Sequence, residues 1–215
     1  MAKNPNPSLP NRHTFYSGVS GSGKSQALKQ NPDFPKTGVR CLIWDHSNDH
    51  AKGTRYYSNK NQFIDAVKKA VKSGKGFRIG WNGESDPAAM EWFCAVAWAI
   101  LDGGKPTYII LEELAAAVET VGRASPNMRR LFNEGRKYGA VLHPVTQRPQ
   151  EIPKTVYDMC AIFWVGMQKN TNIKKFSGVI DVPESDIKSL TNLEFYHYDE
   201  TSGQPARRVQ LKYKK

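Results

Sequence analysis

Eight residues near the amino terminus, GVSGSGKS, match the pattern GxxxxGK[ST]: Gly18, Val19, Ser20, Gly21, Ser22, Gly23, Lys24 and Ser25. These residue types suit a nucleotide phosphate. Glycines let successive backbone N–H groups turn inward around phosphate oxygens. A helix that begins where the loop ends adds partial positive charge. Lys24 would reach the β- and γ-phosphates, and Ser25 would set its hydroxyl against Mg²⁺. The bland alternative is a flexible Gly/Ser loop. The flanks favour phosphate, because "HTFYSGV" before the loop reads as a strand and "KSQALKQ" after it as a helix. The expected cofactors are ATP and Mg²⁺.

Hydrolysis needs a carboxylate for hydrated Mg²⁺ and a group that orients the attacking water. "YIILEEL" places Glu112 and Glu113 directly after four apolar-run residues. Glu112 reads as the metal-side carboxylate, beside Ser25, and Glu113 as the water-activating base. Asp is the commoner residue at the first position, so the order within the pair stays open. Two glutamates favouring the dipole at a solvated helix start are the alternative. Asp45, after the apolar run "RCLIW", is a weaker candidate for the same place.

A third stretch, "AVLHPVTQRPQEIP", runs from an apolar strand into Thr146, Gln147, Arg148 and Pro149. If that strand adjoins the one before the glycine loop, the Gln147 amide comes near the γ-phosphate. There it could bond phosphate and water together and sense whether phosphate is present. Pro149 stiffens the exit. A polar turn is the alternative.

The elements that would carry these residues alternate along the chain. "RCLIWD" (40–45), "FRIGW", "TYIILEE" from Thr107 to Glu112, "AVLHPVT" and "CAIFWVG" read as buried strands. Helices are expected over "NQFIDAVKKAVKSG", with Phe63, Ile64, Val67 and Val71 on one face and Gly74 ending it. Another is expected over "DPAAMEWFCAVAWAILDGG", with Asp86 as N-cap and Pro87 in the first turn. "NMRRLFNEGRKYG" and "NIKKFSGVI" read as two more. "LEFYHYDE", "TSGQ" and "ARRVQLKYK" read as a β-hairpin. The pattern predicts an α/β fold, a mainly parallel sheet with helices on both faces and a C-terminal hairpin. Residues 1–12, rich in Pro and Asn, read as a loose arm; 13–168 as the ATPase core; and 169–215 as an extension of the same domain.

At 215 residues the chain fits one sizeable domain, and 39% hydrophobic with 24% charged residues is the balance of a globular one. No apolar run is long enough to span a bilayer, and the start lacks the apolar core of a secretory signal. An intracellular place is therefore expected. Cys41, Cys94 and Cys160 are far apart in apolar surroundings, so buried thiols are expected rather than a metal set. The net charge of +11 points to a polyanionic partner, with a merely basic surface as the alternative. Basic clusters lie at Lys68–Arg78, at Lys174 and Lys175, and at Arg207, Arg208, Lys212, Lys214 and Lys215.

GVSGSGKS, then IILEE, then a helix containing GRKYG, then a strand ending in TQRP is an order that resembles the FtsK/HerA superfamily of DNA-pumping ATPases. The small size is most similar to genome-packaging ATPases of tailless, often membrane-containing viruses. The resemblance covers residues 13–168. It implies a RecA/FtsK-like P-loop NTPase fold and an ATPase that translocates double-stranded DNA into a preformed capsid. It also implies a ring, hexamers being favoured, with ATP between subunits. Capsid or portal-vertex proteins, or viral membrane proteins, would be partners, and the place would be host cytoplasm and the packaging vertex of the virion. In such rings a neighbour's arginine stabilises the transferring phosphate. Arg136 is the first candidate, Arg130 the second, with Arg129 and Arg148 behind them.

Two alternatives remain. A cellular, conjugative or phage-morphogenesis transport ATPase would share the motor. A small-molecule P-loop kinase would need an arginine lid, which the segment from Met128 to Lys137 could imitate. It would leave TQRP and the +11 charge unexplained.

Overall fold

A computed structural model describes residues 2–118 and 122–214. The short apolar runs become strands: β1 (Thr14–Ser17), β2 (Arg40–Trp44), β3 (Arg55–Tyr57), β4 (Phe77–Trp81), β5 (Thr107–Leu111), β6 (Ala140–Thr146), β7 (Ile162–Val165), β8 (Glu194–Asp199) and β9 (Arg207–Gln210). They form one sheet in the order β3-β4-β2-β5-β6-β1-β7-β8-β9. The first seven in that order run parallel, and β8 and β9 add antiparallel at one edge. The expected α/β sheet with its C-terminal hairpin is what is found.

The helices are α1 (Lys24–Gln30), α2 (Lys60–Lys72), α3 (Pro87–Ala99), α4 (Pro126–Glu134), α5 (Lys154–Asp158), α6 (Asn170–Ile180) and α7 (Glu184–Lys188). Their ends obey local chemistry. The Asp86 carboxylate accepts the Ala89 N–H at 2.7 Å, with Pro87 opening α3. Asn59 caps α2 through Asn61 and Gln62, and Gly74, at φ 67°, lets the chain leave it.

Alternating side chains along the strands face two cores. Phe15, Leu42, Trp44, Ile109, Leu111 and Leu142 face one, where α2, α3, α4 and α6 pack with Phe63, Phe93, Phe132 and Phe176. Tyr16, Cys41, Ile43, Tyr108 and Ile110 face the other. That side is closed more thinly, by Ala27 and Leu28 of α1, by Phe34, and by Leu211 beyond β9. Helices cover both faces, but unequally. Cys41, Cys94 and Cys160 are free, buried thiols.

Several elements differ from the sequence reading. The strand expected to reach Glu112 ends at Leu111, because Glu113 turns into the left-handed region. GRKYG is not α-helical: α4 stops at Glu134 and Gly135–Tyr138 make a 3₁₀ turn closed by Gly139 at φ 86°. β3, α5 and α7 were not anticipated; pieces of three to five residues show no period to read. Residues 2–12 hold no helix or strand, yet they are tied down. Lys3 N donates to Leu101 O at 3.1 Å and Asn6 N to Lys137 O at 2.6 Å. No helix among the described residues is long and apolar enough to cross a membrane.

Candidate nucleotide site

β1 lies between β6 and β7, with Ser17 opposite Thr146 on one side and Val165 on the other. Its carboxyl end feeds the glycine loop. Gly21 and Gly23 sit at φ 76° and 98°, conformations costly to residues with a Cβ. At Gly18 a Cβ would lie 2.4 Å from Ser22 Oγ, and at Gly23 one would lie 2.5 Å from Leu193 Cδ2. The loop is therefore shaped from both sides. Leu193 N also donates to Ser22 O at 3.1 Å, so the C-terminal hairpin braces it. Beneath the loop, Gln168 Nε2 donates to Ser17 Oγ at 3.2 Å and to Gly166 O at 3.1 Å.

Lys24 opens α1 with no side-chain cap before it, which leaves the first amides for a ligand. Its side chain is buried, and Nζ donates to Val19 O at 3.1 Å. Burial lowers its pKa, while the charges of Glu113, Glu112 and Asp49 push it back up.

The acidic pair lines one cavity of about 460 Å³ together with Lys24, Ser25 and Gln147. The two glutamates are not equivalent. Glu112 is 8% exposed, and its Oε1 lies 2.5 Å from His50 Nε2, an arrangement in which the ring N–H donates to the carboxylate. Glu113 is half-buried, holds φ 45° and ψ 50°, and makes no side-chain hydrogen bond among the described residues. A non-glycine residue there stores about 1–3 kcal/mol of strain. The strain turns the chain sharply out of β5 at the phosphate side.

Asp45 has another task. Its carboxylate accepts the N–H of Asp49 at 3.0 Å and of His50 at 2.9 Å, and the Tyr56 hydroxyl donates to it. It shapes the turn that delivers His50 to Glu112. Sequence reasoning missed His50, Asp49, Gln168 and Leu193. A signal existed for the first two: "DHSNDH" is a polar run directly after a buried parallel strand, where ligand sites collect.

For Mg²⁺ the donors fit. Ser25 Oγ has no protein partner among the described residues, and Glu112 Oε2 has none either, while both side chains face the same cavity. These two would hold the ion, with water completing its shell.

None of the candidate arginines lines the cavity. Arg136 is at the amino-end edge of β6, far side of the sheet from the phosphate loop, and its Nη1 donates to Pro7 O at 2.9 Å and to Leu9 O. Arg130 lies 4.2 Å over the Trp98 ring and 3.8 Å from Glu134. Arg148 pairs with Glu151 at 2.8 Å. Arg129 makes none of these contacts. The basic clusters occupy separate places: α2 and the turn after it, α6, and β9 with the tail. Arg208 is neutralised by Glu194 at 2.8 Å. Lys215 lies outside the described residues.

A glycine loop after β1, two glutamates after β5 and Gln147 after β6, the strand between those two, all at the carboxyl ends of a parallel sheet, make the arrangement of a P-loop NTPase fold. No family model matches the chain. It is 38% identical over 189 residues to Protein P9 of Pseudoalteromonas phage PM2, covering 87% of this chain and 83% of that protein. The chain belongs to the family of that phage protein. Solved structures share its fold at low identity. The genome packaging NTPase B204 of Sulfolobus turreted icosahedral virus 2, in complex with AMPPCP, aligns with a TM-score of 0.73 at 16% identity, over 95% of this chain and 100% of that one. The bacterial conjugative coupling protein TrwBdeltaN70 aligns at 0.65 and 11% identity, over 97% and 86%. VirB4 of Thermoanaerobacter pseudethanolicus aligns at 0.62 and 11% identity, over 95% and 90%.

Proposed function

We propose that the chain hydrolyses ATP to move double-stranded DNA, and that its task is to package a viral genome into a preformed capsid. One observation carries the chemistry: Lys24, Ser25, Glu112, Glu113 and Gln147 border a single cavity at the switch between strands. The phage relative and the described role of B204 support the biological task.

The residues divide the work. Backbone N–H groups of Ser20, Gly21, Gly23, Lys24 and Ser25 and the Lys24 ammonium receive the phosphates, while the Ser22 N–H closes the loop on Val19 O. Ser25 and Glu112 would hold Mg²⁺, which would supply neutralisation of phosphate charge. Glu113, unpaired and aimed at the cavity, accepts the proton of the attacking water. Gln147 orients that water and reports the phosphate to the loop after β6. No arginine among the described residues lines the cavity, and a neighbouring copy in a ring, a hexamer in this reading, supplies one, with Arg136 and Arg130 the first two candidates. The +11 charge supplies DNA backbone contacts.

The test is ATP turnover with and without linear double-stranded DNA, beside Lys24→Ala and Glu113→Gln. Stimulation by DNA that both variants lose and that salt weakens is the expected result. Phosphate appearing on a small-molecule acceptor instead would make the chain a kinase and end the packaging reading.

A further inference from the structure

Tyr213 is the one large apolar side chain that stands exposed among the described residues, at 72%, and it lines the same cavity as Lys24 and Ser25. Its position is imposed. After β9 the tail runs on across α1 instead of leaving the surface. Leu211 is buried, and its N–H donates to Leu193 O at 2.8 Å. The Gln30 amide then grips Lys212, donating to its carbonyl at 2.7 Å and accepting its N–H at 3.4 Å. The Gln26 amide grips Lys214 in the same manner, at 2.8 Å and 3.0 Å.

The spacing explains the fit. Residues four apart on a helix stand about 6 Å from one another, close to the repeat of two residues in an extended chain. Two glutamines one turn apart can therefore read alternate residues of a strand, each acting as a substitute peptide unit. With the backbone fixed on both sides, the side from which the Tyr213 Cβ leaves the chain is fixed as well. Covering α1 does not require that ring, since Leu211 already does so. An aromatic ring held open to water awaits an apolar or π-faced partner.

Glu112, Glu113 and Gln147 line the cavity from the ends of β5 and β6, and Gln26 and Lys29 of α1 line it together with Tyr213, the phosphate loop bordering it as well. A triphosphate on the loop with its γ end toward the acids sends its ribose and base along α1. We propose that Tyr213 stacks on the nucleotide base, and that Gln26 and Gln30 are positioning residues that hold it there. This rests on the nucleotide reading of the site. Stacking recognises the face of a base rather than its edge, so ATP and GTP should bind comparably.

The experiment measures binding of ATP and of inorganic tripolyphosphate to the full chain by calorimetry. Tyr213→Ala should weaken ATP about tenfold, the order expected for one lost base stack, and change tripolyphosphate by less than about twofold. Tyr213→Phe should keep wild-type affinity. Tyr213→Trp should show fluorescence quenched by ATP and not by tripolyphosphate. Gln26→Ala with Gln30→Ala should reproduce the Tyr213→Ala loss, and adding Tyr213→Ala should cost little more. Unchanged ATP affinity in Tyr213→Ala, or equal losses for both probes, would overturn the proposal. A wild-type chain that binds neither probe would overturn the phosphate-loop reading and the stacking with it.

Discussion

His50 Nε2 sits 2.5 Å from Glu112 Oε1, and both side chains are nearly out of water. A buried carboxylate that receives a ring N–H has one oxygen committed and a fixed orientation. Its neighbour Glu113 has no such partner among the described residues and projects from a strained backbone into the cavity. The two glutamates are thus separated by their surroundings: one held by His50, the other left free to take a proton. This favours Glu112 as the metal-side group and Glu113 as the base, the order that sequence alone left open.

Two variants separate these roles. Glu113→Gln should cut turnover by about 10²–10⁴-fold with ATP affinity retained, as removal of a general base does. His50→Ala should leave Glu113 in place but free Glu112 to rotate. The Mg²⁺ concentration needed for half-maximal turnover should then rise about tenfold or more, as it does when a metal ligand loses its supporting partner. Equal effects on turnover and no change in Mg²⁺ dependence would refute the division.

Gly23 tests how the hairpin shapes the phosphate loop. Gly23→Ala should cost about 2–5 kcal/mol, from a left-handed backbone and from the clash with Leu193. Gly21→Ala meets nothing within 4 Å and should cost only the backbone part, about 1–2 kcal/mol. Adding Leu193→Ala to Gly23→Ala should return part of the loss, a coupling that urea unfolding of the four proteins measures.

The pattern of these residues shows where sequence stops being informative. The strand ends bearing Gly18–Ser25, Glu112, Glu113 and Gln147 were legible because each is an apolar run followed by polar residues, and a parallel sheet puts all such ends on one edge. His50 was not legible as a partner of Glu112. Nothing in the chain shows that Asp45 turns the backbone so that residues 62 apart meet. Leu193 and Gln168 were hidden for the same reason: their roles depend on β7 lying beside β1 and β8 beside β7, an order fixed by tertiary packing. The 3₁₀ form of GRKYG was missed because a helical pattern and a tight turn share the same residues over one turn.

Acid should destabilise the fold through two histidines. Burial lowers the pKa of His13 to about 3, with the Arg136 charge adding to the effect, and burial lowers that of His143 to about 3, with His13 adding. Both are neutral in the native state, whereas the unfolded chain takes up protons near pH 6.5. Their contribution is complete above about pH 6.5 and is lost as pH falls toward 3, by about 1 kcal/mol per pH unit for each histidine. His143 stacks on Tyr108 and meets Phe34 edge-on, so phenylalanine keeps the ring contacts and gives up the 3.2 Å hydrogen bond to the Tyr16 hydroxyl. His197, lowered by burial as well, adds to the same window, so His143→Phe should make the slope of unfolding free energy between pH 6 and 4 shallower by about 1 kcal/mol per pH unit in urea titrations. A slope unchanged by that substitution would place the acid sensitivity elsewhere.

Arg136 is asked to do two things, and they can be measured apart. Its guanidinium donates to the carbonyls of Pro7 and Leu9, so Arg136→Ala removes charged hydrogen bonds that pin the N-terminal segment. That should cost about 1–3 kcal/mol and speed proteolysis within residues 2–12. If Arg136 also reaches a neighbour's phosphate, Arg136→Ala should lower turnover further, by about 10³-fold or more. Mixing decides between them. Lys24→Ala copies cannot bind phosphate but keep Arg136, whereas Arg136→Ala copies keep the phosphate loop. Assembled together, each Lys24→Ala copy can lend its arginine to a neighbour's intact site, and turnover should rise well above that of either variant alone. A mixture no more active than the sum of its parts would confine Arg136 to holding the N-terminal segment and pass the role in the ring to Arg130.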